Sequence, residues 1–216
     1  MNIILIAAPA AGKGTESERL ISEYKLTHIS TGDLLRKAIK ENDPLKEEIQ
    51  ECISNGKLVS DDIILKLIEN RISNDDCKKG YILDGFPRNI VQAEKYDEML
   101  KKNNIDPGYV FVIDIEKEKA KERIVGRRTC PNCGRIYSTI FELAKPKEEG
   151  ICDDCKVELT RRADDNEEAF EKRYQVYLDE TAPLIEYYDQ KGILYHIDGN
   201  TDKNHTHNQI KEILDK

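Results

Sequence analysis

Five short apolar runs punctuate the chain: Ile3-Ile4-Leu5-Ile6, Thr27-His28-Ile29, Tyr81-Ile82-Leu83, Tyr109-Val110-Phe111-Val112-Ile113 and Ile193-Leu194-Tyr195-His196-Ile197. Longer helical patterns separate them, and that alternation predicts an α/β fold, a parallel sheet covered by helices. Farther along, Phe170, Tyr174, Tyr177, Leu184, Ile185 and Tyr188 recur at helical spacing behind the cap-like Asp165-Asn166-Glu167-Glu168. They predict one amphipathic helix, with Arg173 on it. Between about 128 and 161 the pattern breaks into turn residues, cysteines and the charged filler Lys145-Pro146-Lys147-Glu148-Glu149-Gly150. This stretch reads as a small domain inserted into one main fold, with no internal repeat and no long linker elsewhere.

Composition narrows the partners. Of 216 residues 35% are charged and 6% aromatic, there is no Trp, and the net charge is -8. Such a field repels nucleic acid and anionic membranes, so a polyanionic ligand must meet a local basic cluster. The first residues lack the basic start of a signal peptide, and no apolar run approaches the ~18 to 20 residues of a membrane helix. The expected location is the cytoplasm, where the six cysteines read as thiols or metal ligands before disulfides.

The first apolar run leads into Ala7-Ala8-Pro9-Ala10-Ala11-Gly12-Lys13-Gly14-Thr15. A strand ending in a tight loop that opens a helix turns backbone N–H groups and the positive end of the helix dipole toward an anion. Lys13 adds a mobile charge for outer phosphates, and Thr15 suits a magnesium ion, directly or through water. The G-x-x-x-x-G-K-[ST] pattern fails twice, since Ala7 replaces the first Gly and Gly14 stands where Ser or Thr is expected. A buried strand followed by an ordinary helix start would read the same way. A second strand end, Leu83-Asp84-Gly85-Phe86-Pro87-Arg88, offers Asp84 for a water-mediated magnesium contact and Arg88 as a phosphate clamp.

The insertion carries the metal signal. Cys130-Pro131-Asn132-Cys133 and Cys152-Asp153-Asp154-Cys155 are separated by 18 residues, a spacing that suits a tetrahedral four-thiolate zinc site. Four protein ligands leave no position for substrate, so the zinc is expected to be structural. Cys52 and Cys77 read as buried small hydrophobes. His28 and His196 are expected in the core or at a sheet edge, and His205 and His207 fall in a polar tail with no assigned role.

Seven stretches together carry a resemblance: the Gly-Lys-Gly-Thr loop around Lys13, HISTGDLLR at 28–36, GKLV at 56–59, GYILDGFPRNIVQAE at 80–94, RIVGRR at 123–128, RRADDNEE at 161–168 and TAPLIEYY at 181–188. In order and spacing, over essentially the whole chain, the sequence resembles the bacterial adenylate kinases with a long zinc-binding lid. The resemblance implies the P-loop nucleoside monophosphate kinase fold, with a five-stranded parallel sheet. The implied divisions are a core at 1–29, 60–127 and 162–216, an AMP-binding segment at 30–59 and a lid at 128–161. The implied reaction moves the γ-phosphoryl of ATP to AMP, giving two ADP, with magnesium. ATP would be held by Ala10, Ala11, Gly12, Lys13, Gly14, Thr15 and Arg127, with Ile136, Tyr137 and the backbone near Thr201 beside the adenine and ribose. AMP would be held by Thr31, Arg36, Lys57, Leu58, Val59, Gly85, Phe86, Pro87, Arg88 and Gln92, with Arg162 and Arg173. Lys13, Asp84, Arg88, Arg123, Arg127, Arg162 and Arg173 would be catalytic. That many cations suit a reaction in which catalysis is positioning and charge neutralisation.

Three alternatives stay open at this level: a kinase for another nucleoside monophosphate, a kinase inactivated at Ala7 and Ala10, and a zinc-ribbon module for nucleic acid. The last is opposed by the negative charge and by the lack of aromatic-basic interleaving. Ala7 ends a strand, where an extended backbone suits it. Ala10 lies in the loop, where a left-handed conformation costs roughly 1 to 2 kcal/mol; relieving that strain with glycine is expected to improve kcat/KM for ATP by roughly tenfold.

Overall fold

The computed structural model describes residues 1–40, 46–54, 59–162 and 165–216. Its strands are β1 (Asn2–Ala7), β2 (Thr27–Ser30), β3 (Tyr81–Asp84), β4 (Tyr109–Asp114), β5 (Arg127–Thr129), β6 (Ile136–Ser138) and β7 (Leu194–Asp198). Its helices are α1 (Lys13–Tyr24), α2 (Thr31–Lys40), α3 (Lys46–Ser54), α4 (Asp61–Ile72), α5 (Ile90–Lys102), α6 (Lys117–Gly126), α7 (Glu167–Val176), α8 (Pro183–Asp189) and α9 (Lys203–Leu214). All five apolar runs enter one parallel sheet of order β2-β3-β1-β4-β7.

The runs are unbroken because the central strands are buried on both faces. Side chains alternate across the sheet. Ile4, Ile6, Leu83, Val110 and Val112 meet Ile64, Ile68, Tyr96, Leu184 and Tyr188 from α4, α5 and α8 on one side. On the other side Ile3, Leu5, Ile82, Phe111 and Ile197 meet Leu20 of α1 and Ile210 and Leu214 of α9. The outer strands β2 and β7 carry His28 and His196, at the sheet edges as expected. Cys77 is buried as expected, and the Cys52 side chain lies outside what is described. Among the described residues no helix is long and apolar enough to cross a membrane.

Two departures from the sequence reading have physical reasons. The single helix expected from Phe170 to Tyr188 is α7 and α8 joined by a π-helical turn at Tyr177–Thr181, closed by Ala182 N–H donating to the Tyr177 carbonyl at 2.8 Å. Pro183 has no N–H and its ring crowds the carbonyl four residues back, so the regular ladder cannot pass through it. The expected cap does form, Asn166 accepting from Ala169 N–H at 2.9 Å. The second departure is His207, which belongs to no loose tail: it lies on α9 and is buried, because Ile210 and Leu214 pin that helix to the sheet.

The excursion beyond α6 is a hairpin, with Arg127 opposite Ser138 and Thr129 opposite Ile136, closed by a bridge from Thr129 to Thr160. Its apolar core is small: Cys130, Tyr137, Cys152 and Leu159, with Cys155 and Val157 packed against them. Helices α2 and α3 make a second small cluster with α4, from Ala38, Ile49, Ile63 and Leu67.

The start of β4 is set by Gly108, at φ 72, where a Cβ would lie 2.0 Å from the Asn2 carbonyl oxygen. Gly134 has a similar φ of 75 but nothing within 4 Å of the added atom. Gly108→Ala should therefore destabilise the protein by about 2–4 kcal/mol in urea unfolding, and Gly134→Ala by only the backbone cost of about 1 kcal/mol. Equal losses would show that backbone conformation, and not the contact with β1, decides the residue at 108.

Candidate active site

Because the five strands are parallel, their carboxyl ends form one edge of the sheet, and β1 lies between β3 and β4, where connections leave in opposite directions. A crevice opens at such a point. The loop after β1 fills it: Ala11 N–H donates to the Ala8 carbonyl at 3.2 Å, and the backbone turns left-handed at Ala10 (φ 64) and Gly12 (φ 105). No side chain caps α1, so the N–H groups of its first turn are left to an anion. Ala7 is the last residue of β1, in extended pairing with Ile113.

Ala10 adopts the left-handed backbone expected of it. What the sequence did not reveal is that Ala10 also packs against the cluster of Ala120, Ile124 and Phe170. Burying part of a methyl group stabilises by up to about 0.8 kcal/mol, which offsets much of the backbone cost.

Lys13, the first residue of α1, sets Nζ 2.6 Å from Asp84 Oδ1 at the end of β3. The other carboxylate oxygen lies 3.4 Å from His28 Nε2. The contact from His28 and the Lys13 charge hold the Asp84 carboxyl well below the usual carboxylate range despite burial, and Asp84 in turn raises the His28 imidazole. His28 was missed as a neighbour of the site. Its register on β2 beside β3 brings it there, a pairing that no spacing along the chain reveals.

A cleft of about 1320 Å³ runs from this loop to the hairpin, and Arg88, Arg123, Arg127, Arg135, Arg162 and Arg173 all line it, with Pro87, Ile136, Tyr137 and Thr201. Each arginine comes from a different place in the chain, and several are already fixed. Arg123 donates to the carbonyls of Ala11 (3.3 Å) and Thr201 (3.1 Å), tying the phosphate loop to the start of α9. Arg127 forms a two-pronged pair with Asp165, whose side chain is wholly buried. Arg88 Nε donates to the Gly85 carbonyl at 2.8 Å, and its backbone N–H donates to Gln92 Oε1, also at 2.8 Å. Arg162 is exposed at the cleft.

The other half of the site is built around Gly85. Thr31 Oγ1 donates to its carbonyl at 3.3 Å, and a Cβ there would come within 3.3 Å of both Arg88 and Thr31. Gln92 is buried and donates to Asp61 Oδ1 at 2.6 Å. The Phe86 side chain is turned into the core, edge-on to Tyr96, so this residue offers its backbone only. Val59 packs partly buried against α2 and α4. Lys57 and Leu58 lie outside the described residues, as does the side chain of Arg36. Thr31, Val59 and Gln92 do not line the cleft that gathers the arginines.

In the hairpin, the four sulfurs of Cys130, Cys133, Cys152 and Cys155 lie within 4.8 Å of one another. The Cys133 and Cys152 sulfurs are 3.8 Å apart, matching the roughly 3.8 Å edge of a tetrahedron with metal–sulfur bonds of about 2.3 Å. Each pair sits in the same turn: Gly134 N–H bonds the Cys130 carbonyl and Lys156 N–H the Cys152 carbonyl, both at 3.0 Å, with Gly134 and Lys156 left-handed. The donor set therefore fits a tetrahedral zinc ion. Tyr137 is buried against this cluster, its hydroxyl 3.4 Å from Cys152 Sγ and accepting from Asp153 N–H. Ile136, not Tyr137, presents an exposed apolar side chain.

A family model described as adenylate kinase matches residues 5–193. The chain is 44% identical to the adenylate kinase of Geobacillus sp. (strain WCH70) over 214 residues, 99% of this chain and 98% of that protein. It is also 44% identical to that of Archaeoglobus fulgidus, over 100% and 99%, and 48% identical to that of Clostridioides difficile, over 92% and 91%. With a phosphate loop and an aspartate-anchored lysine on one sheet edge, six arginines lining the cleft, and this match along its length, the chain belongs to the adenylate kinase family.

Proposed function

We propose that this chain moves the γ-phosphoryl group of ATP to AMP, giving two ADP, at the crevice beside β1. The observation that carries the reading is the gathering of Lys13 and six arginines around one cleft in a chain of net charge -8. In an in-line transfer the bond from γ-phosphorus to the β–γ bridging oxygen breaks as a bond to an AMP phosphate oxygen forms. The protein's task is to align the two and to neutralise charge. The loop from Ala10 to Thr15 binds the ATP phosphates, Lys13 reaches the outer ones, and Ile136 and the backbone near Thr201 flank the base and ribose. Thr31, Arg36, Val59, Gly85, Arg88 and Gln92 take AMP, and Arg123, Arg127, Arg162 and Arg173 surround the transferring group. Thr15 and Asp84 would hold magnesium, which supplies charge neutralisation on the phosphates when bound.

Water competes for the phosphoryl group, so the cleft must close before transfer. Arg127 and Arg162, at the two ends of the 128–161 excursion, would be carried with it as it closes over ATP, while 30–59 closes over AMP. Zinc held by the four cysteines stiffens the lid and leaves no position for substrate. The chain acts as a cytoplasmic monomer on ATP, AMP and ADP, without nucleic-acid or membrane partners. A coupled assay for ADP from ATP and AMP, with CMP, UMP and GMP as rivals, tests the reading; no turnover, or a faster rate with another monophosphate, overturns it.

Arg88→Ala should lower kcat by more than ~10²-fold with Tm little changed, since Arg88 is exposed. Arg127→Ala should lower kcat as far but also lower Tm, because it strands the buried Asp165 carboxylate. Near-normal turnover in either would remove that arginine from the mechanism. Ala10→Gly should change kcat/KM for ATP by less than about threefold, the lost methyl contact offsetting the relieved strain; a tenfold gain would mean the contact counts for little. Removing the metal with a chelator, or Cys130→Ser, should melt the lid below the core and slow turnover, because roughly 34 residues make too small a core without a staple. Metal analysis finding no bound zinc in protein purified without chelator would sink that expectation.

A further inference from the structure

Glu16 and His207 lie outside every role assigned above, yet they form the most buried charged contact near the phosphate loop. The Glu16 carboxylate stands in the first turn of α1, directly after Thr15, and the residue is 2% exposed. His207 comes from the middle of α9, 191 residues away in sequence, and places Nδ1 2.5 Å from Glu16 Oε1 and Nε2 2.7 Å from Glu23 Oε2. An ionised carboxylate only accepts hydrogen bonds, so a ring facing one at each nitrogen is satisfied only with a proton on both, as the imidazolium. A neutral ring would turn a lone pair toward one of them.

Two further cations stand beside the pair. Lys211, one turn along α9, pairs with the other oxygen of Glu23. Arg19 of α1 donates to the Lys203 carbonyl and to Asn204 Oδ1 at the start of α9. Burial holds the Glu16 carboxyl above its ordinary range, and the contact with His207, the next largest influence, offsets only part of that rise. Left alone, a buried carboxylate at this point would oppose the triphosphate that the same helix end is built to attract.

We infer that His207 is a positioning residue for the ATP half of the site: its imidazolium cancels the Glu16 charge beside the phosphate loop and clamps α1 to α9. The clamp joins the two elements whose first residues flank ATP, since α9 begins just after Thr201 and α1 just after Gly12. Arg123 braces the same junction from the cleft side through Ala11 and Thr201. This inference rests on the assignment of ATP phosphates to the loop from Ala10 to Thr15.

The test is a double-mutant cycle read as separate KM values for ATP and AMP. His207→Leu should raise KM for ATP about tenfold while kcat and KM for AMP change less than twofold. In the Glu16→Gln background the same His207→Leu change should raise KM for ATP by no more than about threefold, back to near the parent's value, because there it removes only the uncompensated imidazolium. Glu16→Gln alone should lower KM for ATP two- to threefold, and this single variant carries the test if His207→Leu does not fold. Equal effects of His207→Leu in both backgrounds, an equal rise in KM for AMP, or no change of KM for ATP in Glu16→Gln overturns the inference. Lys13→Ala serves as the separate check: an unchanged KM for ATP there would refute the loop assignment itself.

Discussion

A parallel sheet buried on both faces has only one place to do polar chemistry, the edge where its strands end. The apolar side chains of β1, β3 and β4 exclude water above and below, and the carboxyl ends of the strands point their loops one way. Everything the protein does with phosphate follows from that restriction. The loop after β1 supplies backbone N–H groups, the end of β3 supplies Asp84, the turn beyond it supplies Arg88, and the end of β7 leads to Thr201. The sheet thus turns distant segments of an acidic chain into one basic cleft.

Holding so many cations together needs carboxylates that fix them without filling the space meant for ligand. Asp84 anchors Lys13, and Asp165 grips Arg127 from a fully buried position. Glu16 and Glu23 take His207 between them. Asp165 and Glu16 are buried, so their pairs are worth more than a screened surface contact, and losing one partner leaves an expensive unpaired charge; Asp84 is partly buried and Glu23 exposed. Lys13 and Arg127 are thus held in place by acids, a form of electrostatic preorganisation.

The hairpin illustrates the opposite regime. Its core has four buried residues, two of them cysteines, and a sheet of two short strands. Burial alone could not hold such a piece in one shape. A metal ion held by sulfurs spaced for a tetrahedron would substitute for apolar area, and Tyr137 links the cluster to the strand that lines the cleft. On the proposed reading, a stiff body on narrow attachments suits a cover that closes over ATP.

Much of this was legible along the chain. The unbroken apolar runs determined β1, β3 and β4, because a strand buried on both faces needs no polar alternation; the shorter mixed runs gave the edge strands β2 and β7, and separation by helical stretches determined that all five are parallel. The glycine-lysine loop, the turn at Gly85 and the paired cysteine knuckles are local motifs, each set by the backbone geometry of a few neighbouring residues. Even the left-handed turn at Ala10 followed from its place in the loop. What the tertiary structure alone decided were the pairings between segments far apart: His28 with Asp84 through strand register, Asp165 with Arg127, Ala10 with Phe170, and Glu16 with His207. Sequence periodicity reports which face of an element is buried but not which element covers it, so the partner of a buried charge appears only once the elements have packed.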